Sequence, residues 1–243
     1  MCGRVVQTTP VGEIAEILGI AHGRHPLGWV PRRNIAPSAS LLVAEADGID
    51  TVLRFRRWGL VPHWALDESI GARLANARSE TVWERPSFRD AVTRLRCIVP
   101  VNGFYEWAPA TLDGPRTSSG KPAKRPHLFQ AASGRPLLLA GIAADRPCPD
   151  GGDPLRTVCV LTTQANGTMS PIHDRMPVLL DSDATDVWLR ADHWEARDLL
   201  THLLAPAPDD VLTEYEVSTE VNSARNEGPH LTDPVDVSPT TLF

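Results

Sequence analysis

The sequence has no run of about 18 apolar residues, so nothing in it is long enough to span a membrane as a helix. Its start lacks a basic stretch followed by an apolar one, so no signal peptide is expected. Cysteine is scarce. Cys2, Cys97, Cys148 and Cys159 form no C-x-x-C pair and no metal-ligand spacing. They read as thiols of a cytoplasmic protein, three of them structural, with no metal held between them. There is no internal repeat and no regular βαβ alternation, which excludes solenoids and doubly wound folds. A general excess of positive charge is also missing, since the net charge is −6, and this argues against a basic nucleic-acid coat.

What is present is uneven. Up to residue 107 there are 13 cations, all arginines, against 11 acids; beyond it there are 11 cations against 19 acids. Arginine offers a planar fork that pairs with phosphate and stacks on bases, so an arginine-lined cleft in an acidic protein is compatible with this distribution. At 243 residues with 42% hydrophobic content the chain can fill a sizeable core.

Short strands are expected at Arg4–Val6, Leu41–Ala44, Thr51–Phe55, Arg96–Val101, Leu128–Gln130, Leu137–Ile142, Val158–Thr162 and Glu214–Val217. Helical spacing runs from Val11 to Leu18, with Thr8 or Thr9 as its cap, over Phe88–Arg94, and in the region opened by Asp183. Asn34-Ile35-Ala36-Pro37 reads as a turn, and Trp58–Trp64 as a shaped loop broken by Gly59 and Pro62. Residues 108–126 and 145–154 read as exposed loops. Many short strands with a few helices predict an α+β fold in a single domain over residues 1–231, with an irregular tail over 232–243.

The first residues carry the sharpest chemistry. A methionine followed by a small residue is commonly removed, and this would leave Cys2 with an α-amine of pKa about 7.7–8.0 beside a thiol of about 8.5. An amine alone gives an aldehyde a reversible imine. A neighbouring thiol can add to that imine and close a five-membered thiazolidine. Gly3 adds no bulk and Arg4 supplies a permanent charge. Taken alone, these four residues read rather as an incidental cysteine at a terminus.

Three further polar clusters stand beside apolar runs: Asn76–Glu80, Gly103–Trp107 and His173–Pro177. Each has two readings. Glu106 can alternate outward on a strand, or point inward, where Phe104, Tyr105 and Trp107 would disfavour its charged form as a general acid requires. His173 is either a surface histidine or a proton carrier. Asn76 either caps a turn or holds a nucleophile through hydrogen bonds. Arg78 and Arg175 are either surface ion pairs or phosphate clamps.

Together, Cys2-Gly3-Arg4, Asn34–Pro37, Trp58–Trp64, Asn76–Glu80, Gly103–Trp107, Leu161-Thr162-Thr163, His173–Pro177 and Val221-Asn222 resemble the SOS-response-associated peptidase (SRAP) family, the abasic-site processing proteins. The motifs fall in family order from residue 2 to about 231. The resemblance implies a barrel-like mixed β-sheet flanked by helices, with the N-terminal cysteine in its cleft. It implies binding to single-stranded DNA, or a single-strand/double-strand junction, carrying an abasic site. It makes Cys2 the nucleophile, with Asn76, Glu106 and His173 around it. Arg4, Arg78 and Arg175 would hold phosphates, while Trp64, Pro37 and Thr162 would also lie against the DNA. The implied product is a covalent thiazolidine crosslink, with strand cleavage by a lyase side reaction, and neither needs a metal or organic cofactor. A protein of this kind would be cytoplasmic and nucleoid-associated when on DNA. Two alternatives stand beside this reading: a cysteine-type autopeptidase that removes Met1, and a module that binds damaged DNA without covalent chemistry.

Overall fold

A computed structural model describes residues 2–21, 25–111, 116, 119–148, 150–192 and 197–235. In chain order the elements are β1 (Val5–Gln7), α1 (Val11–Ile17), β2 (Arg32–Ile35), β3 (Ser40–Asp47), β4 (Asp50–Trp58), β5 (Asn76–Arg78), α2 (Arg89–Arg94), β6 (Arg96–Val101), β7 (Gly103–Ala108), β8 (Arg125–Ala131), β9 (Leu137–Arg146), β10 (Leu155–Gln164), β11 (Arg175–Pro177), β12 (Leu179–Leu180), α3 (Ser182–Arg190), α4 (Arg197–His202) and β13 (Leu212–Glu216). Among the described residues, no helix is long and apolar enough to cross a membrane.

Five strands close on themselves in the order β10-β4-β3-β6-β9, with β9 returning to pair with β10. Only the β10–β4 pairing in this ring is parallel, so the barrel is mixed. The fold is α+β, and the barrel expected from the resemblance is present. A second, antiparallel sheet runs β13-β8-β7-β1-β2.

Alternation along the barrel strands sorts their side chains into two sets, since successive residues of a strand point to opposite faces. Leu42, Ala44, Ile98, Ala140, Ile142 and Leu161 cluster with Ile14 of α1, Val92 of α2 and Trp188 of α3. Trp188 also donates its indole N–H to the Cys97 carbonyl at 3.0 Å, fixing α3 on β6. The other set, including Leu41, Val43, Val99, Leu139, Val158 and Val160, clusters with Val5, Phe104 and Phe129 of the second sheet and with Cys2. The residues clustered with Cys2 are thus core residues of both sheets.

Several boundaries differ from expectation. The barrel hairpin is longer than the apolar runs suggest, because β3 continues through Glu45 and β4 through Arg56. Arg56 is fully buried, donating from Nε to Glu45 at 2.6 Å and from Nη1 to Asp145. Asn34 and Ile35 belong to a strand rather than a turn. Pro10, not a threonine, stands at the start of α1, with no side-chain cap. The Thr8 and Thr9 N–H groups instead donate to Asn102 Oδ1, at 2.6 and 3.0 Å. The expected loop at 108–126 contains an Arg116–Pro122 bridge, although 112–115 and 117–118 lie outside the described residues, as does Trp194.

Beyond β13 the chain crosses the outer face of the second sheet. Val217 and Val221 pack there on Val6, Tyr105 and Leu128. Arg4 Nη1 and Asn34 Nδ2 donate to the Val221 carbonyl, and Tyr105 Oη donates to the Leu231 carbonyl at 3.2 Å. Part of the expected irregular tail returns to the sheet, since Val217 bridges Pro234 and the Val235 N–H donates to the Glu216 carbonyl. Residues 236–243 lie outside the described set.

Candidate active site

Cys2 enters the fold one residue pair ahead of β1, the strand that lies between β2 and β7. It is 1% exposed and packs among Val5, Ala75, Met169, Ile172 and Met176. Burial, reinforced by the negative charge of Glu106, pushes the Cys2 thiol up to about 12, and the positive chain terminus and a hydrogen bond from the Arg4 backbone offset only part of that rise. The sulfur is therefore held as a neutral thiol near pH 7.

Asn76 reaches this residue directly. Its Nδ2 donates to the Cys2 carbonyl at 2.7 Å, while its Oδ1 is buried with no partner among the described residues. Three residues cannot hold a strand by themselves, so β5 depends on its surroundings. It pairs in parallel with β10 from Val160 to Thr162. Trp58, fully buried, donates its indole N–H to the Ala75 carbonyl at 2.8 Å. The turn after Trp58 needs glycine. Gly59 has φ of +124°, and a Cβ there would lie 2.5 Å from the Gly71 carbonyl oxygen. The Trp58-Gly59 pair thus anchors the strand that presents Asn76.

Glu106 takes the inward reading. On β7, Phe104 and Glu106 share one face and Tyr105 and Trp107 the other. Phe104 stacks on Phe129 with centroids 5.2 Å apart in the cluster that holds Cys2. Glu106 is 5% exposed, and its charge reaches the Cys2 thiol. Its Oε1 accepts from the Trp107 N–H at 3.2 Å. Gly103 lets β7 approach β8, since a Cβ there would meet the Phe129 carbonyl oxygen at 2.6 Å.

His173 lies on the turn between β10 and β11. Asn166 Oδ1 accepts from the Met169 N–H, and the Met169 carbonyl accepts from the N–H groups of Ile172 and His173. Met169 and Ile172 belong to the same buried cluster as Cys2, which ties this turn to the core that holds it. Nδ1 of His173 lies 2.9 Å from both the Arg175 N–H and Asp174 Oδ1. It accepts from the first only without a proton, and donates to the second only with one. The ring therefore has two hydrogen-bonded states that differ in whether Nδ1 carries a proton.

A sequence model of the SOS response associated peptidase (SRAP) family matches residues 1–224, which contain all of these side chains. The chain belongs to this family. It is 38% identical over 231 residues to the abasic site processing protein YoqW of Bacillus subtilis, covering 95% of this chain and 98% of that one. It is 32% identical over 206 residues to the abasic site processing protein HMCES of Gallus gallus, covering 79% of this chain and 60% of that one. A solved protein from Bacteroides thetaiotaomicron superposes with a TM-score of 0.82 over 96% of this chain and 100% of that one, and its 20% identity makes this a likeness of fold.

The remaining residues that this SRAP member shares with the family pattern are placed differently from one another. Arg78 is exposed, and among the described residues no carboxylate pairs with it. Trp64 is 48% exposed on the loop after β4, and Pro37 is half-buried in the turn after β2. Arg4 is engaged within the fold. Its Nη1 donates to Asn34 Oδ1 and to the Val221 carbonyl, both at 2.6 Å, and it lies 5.7 Å from the Trp107 ring centroid. Thr162 is fully buried and donates to the Ala77 carbonyl at 3.3 Å. Arg175 is buried as well, with both terminal nitrogens on Glu80.

Sequence reasoning missed Asn34 and Asn222 as parts of this assembly. Asn34 is buried, accepting from Arg4 and donating to the Ser223 and Asn226 carbonyls at 2.9 Å. Asn222 accepts the Trp107 indole N–H at 2.6 Å. Both lie in recognised motifs, but partners 115 to 192 residues away leave no local pattern.

Proposed function

We propose that this protein processes abasic sites in DNA by covalent capture, with the residue-2 α-amine and thiol as its two nucleophiles. The observation that carries the reading is the convergence of Asn76 and Glu106 on a buried Cys2 at the start of the chain.

An abasic deoxyribose is mostly a closed hemiacetal, and its C1′ aldehyde appears when the ring opens. Glu106 protonates the departing ring oxygen as general acid. The amine freed by loss of Met1 attacks C1′, and departure of water leaves an imine. The thiol then adds: sulfur bonds to C1′, its proton passes to nitrogen, and the thiazolidine closes. Asn76 fits the orienting role, because its amide N–H already holds the Cys2 carbonyl and its Oδ1 has a vacant acceptor for the amine or ring N–H. His173 accepts the sugar proton lost if the imine instead eliminates the 3′ phosphate, which is the lyase side reaction. No step calls for a metal or organic cofactor.

The high thiol pKa weighs against the peptidase alternative. A cysteine peptidase needs a thiolate beside a histidine, whereas burial holds the Cys2 thiol neutral. An imine is electrophilic enough to take a thiol that an amide is not. The deciding experiment is intact mass after incubation with an abasic single-stranded oligonucleotide. Protein lacking Met1 should gain the mass of the oligonucleotide less one water. Full crosslinking by protein that retains Met1 would remove the basis of the reading, and binding without mass gain would favour the non-covalent module.

Single-stranded DNA, or its junction with a duplex, is the proposed partner. Trp64 and Pro37 supply apolar contact for bases or sugars, worth about 1–3 kcal/mol per stacked base without regard to sequence. Among the three arginines, Arg78 is the one whose fork faces solvent. Arg78→Ala should weaken binding and lower the slope of log affinity against log salt by about 0.7 for one lost phosphate contact. Arg4→Ala and Arg175→Ala should change that slope less. Equal flattening by all three, measured by anisotropy titration at several salt concentrations, would restore them all as clamps.

A further inference from the structure

Glu80 has no part in the chemistry above, yet it stands where the two halves of the site meet. It follows Asn76 by four residues, in the short 3-10 turn Ser79–Thr81 that continues β5. Arg175 follows His173 by two residues, at the start of β11. The two side chains pair fork to fork, Nη1 donating to Oε1 at 2.6 Å and Nη2 to Oε2 at 2.9 Å. Such a pair fixes orientation as well as distance, which a single ion contact does not.

The same guanidinium makes two more connections. Nη2 donates to the Thr162 carbonyl at 2.6 Å and to Thr162 Oγ1 at 3.3 Å, and that hydroxyl donates to the Ala77 carbonyl. The Arg175 backbone N–H donates to His173 Nδ1 at 2.9 Å. One buried residue therefore ties the strand of Asn76, the barrel strand β10 and the ring of His173. The Arg175 side chain is only 9% exposed, and Glu80, at 43%, is the more open end of the pair.

We propose that Glu80 is a positioning residue: its pair with Arg175 pins the Asn76 strand to the His173 turn, and so sets the spacing of the Asn76 amide and the His173 ring. The inference rests on the covalent-capture reading for its effect on rate, but not for its effect on His173. Without the pin, only the backbone ladders that join β5 and β11 to β10 would set the spacing of the amide and the imidazole. A misplacement of about 1 Å in reacting groups can cost about 10²-fold in rate.

The test uses the full-length protein with Glu80→Gln, which keeps shape and one acceptor, and Glu80→Ala, which keeps neither. Single-turnover crosslinking to an abasic single strand, at varied protein concentration, separates maximal rate from half-saturation. Glu80→Ala should lower the maximal rate about 10²-fold, with Glu80→Gln between it and the parent. The half-saturating concentration and the salt slope should stay within about twofold of the parent, as ionic contacts to DNA are untouched. Tighter binding with a steeper salt slope and an unchanged maximal rate would make Glu80 a mask over a phosphate-binding arginine, and would overturn the proposal.

A second measurement needs no DNA. Nitrogen NMR of the neutral His173 ring should show Nδ1 unprotonated in the parent and a mixture of tautomers in Glu80→Ala, or in Glu80→Gln should the alanine variant not fold. An unchanged tautomer in the variant would sink the pin. If the parent protein forms no crosslink at all, the covalent reading fails, and the NMR result still decides the role of Glu80.

Discussion

Cys2→Ser protein should form no heat-stable adduct with abasic DNA, while still forming an imine that borohydride traps. The substitution keeps the α-amine and removes only the sulfur, so the first bond forms and the ring closure does not. A serine hydroxyl at the same place closes only a labile oxygen ring that reopens to the imine. The loss of the stable product should be complete on a denaturing gel after heating, which makes this the largest effect expected from any single change. Strand nicking should rise, because an imine that is not drained into the thiazolidine has longer to eliminate the 3′ phosphate. The buried surroundings sharpen the test: with the thiol pushed up to about 12, the sulfur contributes little until the imine exists. Equal yields of heat-stable adduct from parent and Cys2→Ser would show that the thiazolidine is not the product.

Glu106→Gln should slow crosslinking by about 10²–10⁴-fold, the range typical for loss of a general acid or base. Glutamine fills the same space on β7 but has no proton to give the ring oxygen. An aldehyde that cannot close into a hemiacetal bypasses that step and should recover part of the rate. His173→Ala provides the contrast. Its turn shares a buried cluster with Cys2, but its proposed work is at the sugar after the imine has formed. It should depress nicking more than crosslinking. Paired time courses of adduct and nicked strand for both variants decide the matter, and parallel loss of both activities in both would end the division of labour.

The face on which Glu106 lies could not be read from its strand, for a reason visible in the packing. Alternation reveals orientation only when one face of a sheet is wet. Here Phe104 and Tyr105, neighbours on opposite faces, are both fully buried, because the barrel covers one side and residues 217–235 the other. The strands themselves were more legible. Arg96–Val101 has the bounds expected from its apolar run. The hairpin of β3 and β4 was cut short at Ala44 and Phe55 because Glu45 and Arg56 look like solvent residues in a list. In space they neutralise each other, and the ladder continues through them. The candidate residues were found through motifs, but their division into engaged and exposed arginines depends on partners distant in sequence. Arg4 and Arg175 differ from Arg78 only in what folds against them.

The contact of Arg4 with Val221 spans 217 residues, nearly the whole chain. In equilibrium terms such a closure is cheap, since each doubling of loop length adds only about 0.6 kcal/mol. In time it is slow, because contacts remote in sequence form after local ones and a growing chain folds from its N-terminal side. The brace that Val221 gives Arg4 is therefore expected to close after the local contacts of the fold, the β3–β4 hairpin among them.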